Sequence, residues 1–231
     1  MSSIIELQNL KFQWQLEKPV LDIDSLNISS GEKIFLQGPS GCGKSTLLNL
    51  IAGIHRPVEG RISVDGCDLN TLSASARDRF RADNIGLIFQ QFNLLPYLSV
   101  QQNVLLPCHF SKLRSERACK EYGSIEAAGL SLLKELGLED YLNNAVTDLS
   151  IGQQQRVAAS RALIGSPRIV IADEPTSSLD SDNREGFIKL LIRECDQHNI
   201  TLLFVSHDRQ LTKHFSRIID FQQMNRAGAS L

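Results

Sequence analysis

Gly38-Pro39-Ser40-Gly41-Cys42-Gly43-Lys44-Ser45 fits G-x-x-x-x-G-K-[ST] without a mismatch. Glycines let the backbone curl until successive N–H groups face one anion, and a helix that follows adds its positive N-terminal end. Lys44 supplies a cation for the β- and γ-phosphates of a nucleotide, and the Ser45 hydroxyl can ligate Mg²⁺. The apolar run Ile34–Leu36 reads as a strand entering the loop. Lys44–Ile54 reads as the helix leaving it, with Leu47, Leu48 and Ile51 on one face. The stretch Gly38 to Thr46 is therefore the candidate phosphate site.

Outward from that loop the chain keeps an α/β rhythm, interrupted once. Ile4–Leu10, Val20–Ile28, Lys33–Gln37, Arg61–Val64 and Ile85–Phe89 are predicted strands, and Asp65-Gly66 is a turn pair. From about Ser99 to Ile164 helical patterns take over: Val100–Phe110, Ser124–Leu136 and Gln153–Leu163. Arg168–Ala172 and Thr201–Val205 are continuous apolar runs, as expected of strands buried on both faces of a parallel sheet. They flank an amphipathic helix predicted over Asp182–His198. One domain over 1–231, with a helical subdomain at about 92–165 inserted in an α/β core, is the expected organisation.

Ile169-Val170-Ile171-Ala172 runs directly into Asp173-Glu174. Acids that close an apolar strand place charge at the sheet edge where open α/β sheets bind ligands. Asp173 is a candidate metal holder, and Glu174 a candidate to aim the attacking water and accept its proton.

Composition narrows the partners. The 231 residues carry a net charge of −2, with 42% hydrophobic and 22% charged residues, and lack the basic footprint of a nucleic-acid binder. No direct nucleic-acid partner is expected. Glu6 and Asn9 interrupt the start of the chain where a secretory signal needs an apolar run. No stretch reaches the roughly 18 apolar residues that would cross a bilayer. A membrane role would thus need a separate subunit. Five scattered cysteines form no CxxC pair and read as reduced thiols.

Leu149-Ser150-Ile151-Gly152-Gln153 resembles the signature Leu-Ser-Gly-Gly-Gln of ATP-binding-cassette (ABC) proteins, and it precedes Asp173-Glu174 as in that family. Ser178-Leu179-Asp180 resembles the D-loop, Val205-Ser206-His207-Asp208 the switch-histidine motif, and Phe89-Gln90 the Q-loop. Trp14 stands where the family places an aromatic that stacks on adenine, with Phe12 on the same strand face as the alternative. The resemblance covers the whole chain. It implies an α/β P-loop NTPase with a RecA-like mixed or parallel core, N-terminal antiparallel strands and an inserted α-helical subdomain. It also implies ATP and Mg²⁺ as ligands, with His207 at the γ-phosphate and the water, and Gln90 at the metal and the water. Ser150, Gly152, Gln153 and Asp180 are implied to grip the ATP of a second subunit, in a head-to-tail homodimer with two sandwiched nucleotides. Ile151 departs from the signature. A β-branched residue avoids positive φ, so either that position never needs it or the signature is distorted.

Phe89-Gln-Gln-Phe-Asn-Leu-Leu-Pro96 and the tail Gln153-Gln154-Gln155-Arg156-Val157 resemble the branch containing MacB, LolD and FtsE. That implies a transporter ATPase acting at the cytoplasmic face of the inner membrane on an integral-membrane permease. The apolar loop Phe92–Leu98 is the candidate socket for it. A soluble ABC ATPase of ribosomes or DNA is disfavoured by the single cassette and the short interval between Ser45 and Ser150. A nucleotide-binding module without turnover is disfavoured by Lys44, Asp173, Glu174 and His207.

Overall fold

The computed structural model describes residues 3–15 and 18–227, with Ser181 and Asp182 described through their backbone only. Strands β1 (Ser3–Gln15) and β2 (Lys18–Ser29) pair antiparallel, Leu7 opposite Leu26 and Leu10 opposite Ile23. Strand β3 (Lys33–Gln37) leads into helix α1 (Lys44–Ile51). Strands β4 (Glu59–Val64) and β5 (Cys67–Asp68) complete an antiparallel sheet of order β2-β1-β4-β5. Helix α2 (Ala74–Asn84) runs into β6 (Ile85–Ile88). Helices α3 (Val100–Phe110), α4 (Lys112–Tyr122), α5 (Ile125–Glu135) and α6 (Ile151–Leu163) then occupy the interval before β7 (Ile169–Asp173). After them come α7 (Ser181–Gln197), β8 (Thr201–Val205), β9 (Arg217–Asp220) and α8 (Phe221–Met224). The second sheet is parallel, in the order β6-β7-β8-β3-β9.

Period-two alternation explains why its strands read as unbroken apolar runs. Phe35, Val170, Ala172, Leu202 and Phe204 belong to a core shared with α3, α5, α6 and α7. Their neighbours Ile34, Leu36, Ile169, Ile171, Leu203 and Val205 belong to a core shared with α1 and the antiparallel sheet. Both faces are covered, and each fully buried aliphatic side chain contributes on the order of 2 kcal/mol.

Three differences from the sequence reading have local causes. Helix α1 stops at Ile51, short of Ile54, because Gly53 turns to φ 68° and the Ile54 N–H caps the Asn49 carbonyl at 2.9 Å. Helix α2 has no buried residue and hence no apolar stripe to find; its start is fixed by the Ser73 hydroxyl, which accepts from the Ala76 N–H. Helix α4 hides an arginine instead of a leucine. Arg114 is 2% exposed and donates to the Ala162 carbonyl at 2.5 Å, and burial lowers its pKa to about 10.

Candidate nucleotide site

Four neighbouring parallel strands end at one edge of the sheet, and each delivers a residue singled out by sequence. Gln90 follows β6, Asp173 and Glu174 close β7, His207 follows β8, and the glycine loop follows β3. Because β8 lies between β7 and β3, His207 emerges between the carboxylates and the loop. The carboxyl edge of a parallel sheet is where such folds bind ligands.

The loop's curl rests on two glycines, Gly41 at φ 76° and Gly43 at φ 108°. A side chain at Gly43 would also begin 3.1 Å from Leu21 Cδ2 and 3.2 Å from the Val20 carbonyl oxygen, so the loop lies directly on β2. The Lys44 ammonium donates to the carbonyls of Gly38 (2.8 Å) and Pro39 (2.7 Å), and lies 3.9 Å from Cys42 Sγ. Ser45 Oγ donates to Asp173 Oδ2 at 2.7 Å, joining the loop to the end of β7.

Burial raises the pKa of Asp173, and the neighbouring Glu174 adds to the rise; the Ser45 bond and Lys44 oppose it. Glu174 takes φ 46°, an unusual value for a non-glycine residue. Its N–H donates to the Val205 carbonyl at 3.0 Å, and its Oε1 meets His207 Nε2 at 2.5 Å.

A cavity of about 450 Å³ opens over these groups. It is lined by Ser40, Gly41, Gly43, Lys44, Ser45 and Thr46 from the loop and α1, by Gln90, Asp173 and Glu174 from the strand ends, and by Trp14 and Val20 from β1 and β2. Trp14 is 58% exposed, whereas Phe12 is buried at 7% and sets its ring edge-on to Trp14 at 4.9 Å. His55, which belongs to none of the motifs, packs edge-on to the same indole at 4.9 Å. Gly38, Pro39 and His207 line an adjoining polar cavity of about 380 Å³. The oxygen donors of Ser45, Asp173 and Gln90 are of the hard kind that suits Mg²⁺. Among the described residues no cluster of three or more His, Cys, Asp or Glu could hold a metal. Mg²⁺ needs none, since one or two carboxylates with phosphate oxygens suffice.

Ser150, Gly152, Gln153 and Asp180 do not line this cavity. Ser150 caps α6 through a reciprocal pair: its Oγ accepts from the Gln153 N–H, and Gln153 Oε1 accepts from the Ser150 N–H at 2.9 Å. Ile151 is the first helical residue and is not among those with positive φ, so the signature is a regular helix start and is not distorted. Gly152 lines a pocket of about 130 Å³ with Leu179 and Asn183. Asp180 caps α7, accepting from the Asn183 N–H at 2.9 Å. Gln155, read only as part of the signature tail, is fully buried and donates to the Pro175 carbonyl at 2.8 Å, one residue past Glu174. Phe92, expected in an exposed socket, is 7% exposed and packs into the core behind the helices; Tyr97 in the same loop is 78% exposed.

A phosphate loop bridged to a strand-end carboxylate, with an acid and a histidine paired beside it, defines a P-loop nucleoside triphosphatase. The family model described as ABC transporter matches residues 21–177. The lipoprotein-releasing system ATP-binding protein LolD of Syntrophotalea carbinolica is 37% identical over 200 residues, covering 87% of this chain and 85% of that protein. The macrolide export ATP-binding/permease protein MacB of Syntrophobacter fumaroxidans is 37% identical over 94% of this chain but 30% of its own length. The dimeric, post-hydrolysis structure of the ATP-binding cassette MJ0796 bound to ADP and Pi superposes with a TM-score of 0.81, at 37% identity over 94% of both chains. The chain belongs to the ABC transporter family, as an ATP-binding, ATP-hydrolysing subunit of the MacB and LolD type.

Proposed function

We propose that two copies of this chain close head to tail over two Mg·ATP, and that hydrolysis drives a separate integral-membrane permease from the cytoplasmic face. The observation that carries the reading is the pair of short contacts at the strand ends, Ser45 Oγ to Asp173 Oδ2 at 2.7 Å and Glu174 Oε1 to His207 Nε2 at 2.5 Å. The first joins the phosphate loop to the end of β7, and the second joins the end of β7 to the residue that follows β8.

In this reading the N–H groups of the loop and the Lys44 ammonium bind the β- and γ-phosphates, and Trp14 carries the base. Mg²⁺, held by Ser45, Asp173 and Gln90, would neutralise charge on those phosphates. Glu174 orients the attacking water and takes its proton, and His207 fixes Glu174 and reaches the γ-phosphate. Among the described residues Ser150 Oγ only accepts, from the Gln153 N–H, so its O–H remains to donate to the phosphate of the opposing copy. The α6 N-terminus that carries it is a second anion-binding helix end, and one ATP needs only one loop.

The dimeric form of MJ0796 supports the pairing. MacB joins ATP-binding and permease in its name, and LolD is named the ATP-binding protein of a lipoprotein-releasing system, which supports a permease as the partner of this cassette. No helix among the described residues is long and apolar enough to cross a membrane. A groove of about 570 Å³ between the α2–β6 edge and α3 suits a docking segment: Leu87, Phe89 and Phe110 give it an apolar base, and Arg79, Arg81 and Arg161 line it. Phosphate release measured with and without Mg²⁺, on the chain alone and with its permease, tests the reading. Mg²⁺-dependent turnover that the permease stimulates is expected; no Mg²⁺ dependence would contradict it.

A further inference from the structure

The last described residues reach back to the phosphate loop. Phe221, at the start of α8, is fully buried, and its Cβ lies 3.1 Å from where a side chain at Gly38 would begin. Asn225, just past α8 and 5% exposed, turns its side-chain amide onto two distant segments. Its Nδ2 donates to the Val20 carbonyl at 2.9 Å and to the Cys42 carbonyl, 183 residues upstream, at 3.4 Å. Its Oδ1 accepts from the Asp22 N–H at 2.8 Å and from the Ala227 N–H at 3.3 Å. Both donors and both acceptor sites of the amide are committed. Arg226 pins the same stretch from outside through ion pairs to Asp22 (3.0 Å) and Asp24.

The two carbonyls that share Nδ2 flank the nucleotide cavity. Cys42 immediately precedes Gly43 and Lys44, which line that cavity, and Val20 lines it from β2. Between them a side chain at Gly43 would begin 3.2 Å from the Val20 oxygen, so the loop and β2 pack without room for one. We propose that Asn225 is a positioning residue for nucleotide binding, its amide setting the distance between the β2 wall and the phosphate loop. The proposal rests on residues 38–45 being the phosphate cradle. Only a primary amide offers two donors and an acceptor on one short planar group, which is why a buried carboxylate or an apolar residue would not serve.

Two variants test it. Asn225→Asp keeps the shape but points carboxylate oxygens at two carbonyls, and Asn225→Ala removes the donors without adding charge. Tm, ATP affinity by calorimetry, and kcat and KM for hydrolysis are measured on both and on Arg226→Ala. Kd and KM should rise about tenfold in the Asn225 variants, the cost of about one hydrogen bond, with kcat within about twofold. Arg226→Ala should keep the parent Kd and KM. A lowered Tm with unchanged Kd and KM, or a fall in kcat at constant KM, would show a purely structural or a catalytic role and overturn the proposal. So would failure of both Asn225 variants to fold. If Lys44→Ala loses nucleotide while the Asn225 variants keep it, the latch fails and the cradle stands; if Lys44→Ala also binds normally, the cradle itself fails.

Discussion

His207 Nε2 lies 2.5 Å from Glu174 Oε1, although 32 residues, including all of α7 and β8, separate them in the chain. The backbone arranges the meeting. Strands β7 and β8 are parallel neighbours with Asp173 opposite Val205, and the Glu174 N–H is tied to the Val205 carbonyl. At φ 46° Glu174 leaves the line of its own strand, a strained conformation of the sort that collects at working sites. The carboxylate thus faces the residue that follows β8.

That contact sets the first expectation. His207→Ala should lower kcat by roughly 100-fold, the usual scale for a group acting on proton transfer, and leave KM within a few-fold. Steady-state phosphate release checks it. A rise in KM at unchanged kcat would place His207 in binding alone.

Lys44 is 6% exposed and spends its ammonium on two loop carbonyls. Removing it takes away the one lysine of the cavity and the clasp of the loop together. Lys44→Ala should weaken ATP binding by calorimetry at least tenfold, about 1.4 kcal/mol or more. Parent-like affinity would refute the phosphate cradle.

Ile151 at the first position of α6 needs no glycine conformation. Ile151→Gly should therefore leave turnover within about threefold of the parent. Ser150→Ala removes the cap and should cost about 1 kcal/mol, a fall in Tm of about 3 °C by calorimetry. A tenfold gain in turnover on Ile151→Gly would mean that the isoleucine does distort the signature.

Glu194 on α7 is buried; burial raises its pKa to about 7, the Glu135 carboxylate adds to this, and Arg193 opposes it. The folded protein therefore holds this proton more tightly than the unfolded chain does. The contribution to stability is complete below the ordinary carboxylate pKa and is lost as pH rises through about 7. Glu194→Gln should raise Tm at pH 8 by on the order of 3 °C and change it little at pH 4. Thermal melts at the two pH values check this; equal shifts at both would remove the titration from the account.

Much of this was legible in the sequence because it is locally encoded. The runs 34–36, 169–172 and 201–205 announce strands buried on both faces, and the glycine loop announces its own curl. What stayed hidden depends on partners far along the chain. Helix α4 is anchored by the buried Arg114, a residue type that a sequence reading places in solvent. Gln155 and Asn225 act through carbonyls at Pro175, Val20 and Cys42, which no side-chain pattern records. The positive φ of Glu174, just past the Asp173–Val205 pair, is one that nothing in its own residue type suggests.

The most direct test of the account is turnover and nucleotide retention by Glu174→Gln, measured on one preparation by phosphate release and by size-exclusion chromatography with ATP. Hydrolysis should fall by 100-fold or more, while ATP stays bound and the chain elutes as a dimer. Hydrolysis at the parent rate would contradict the assignment of the acid that closes β7, and with it the chemistry built on that strand end.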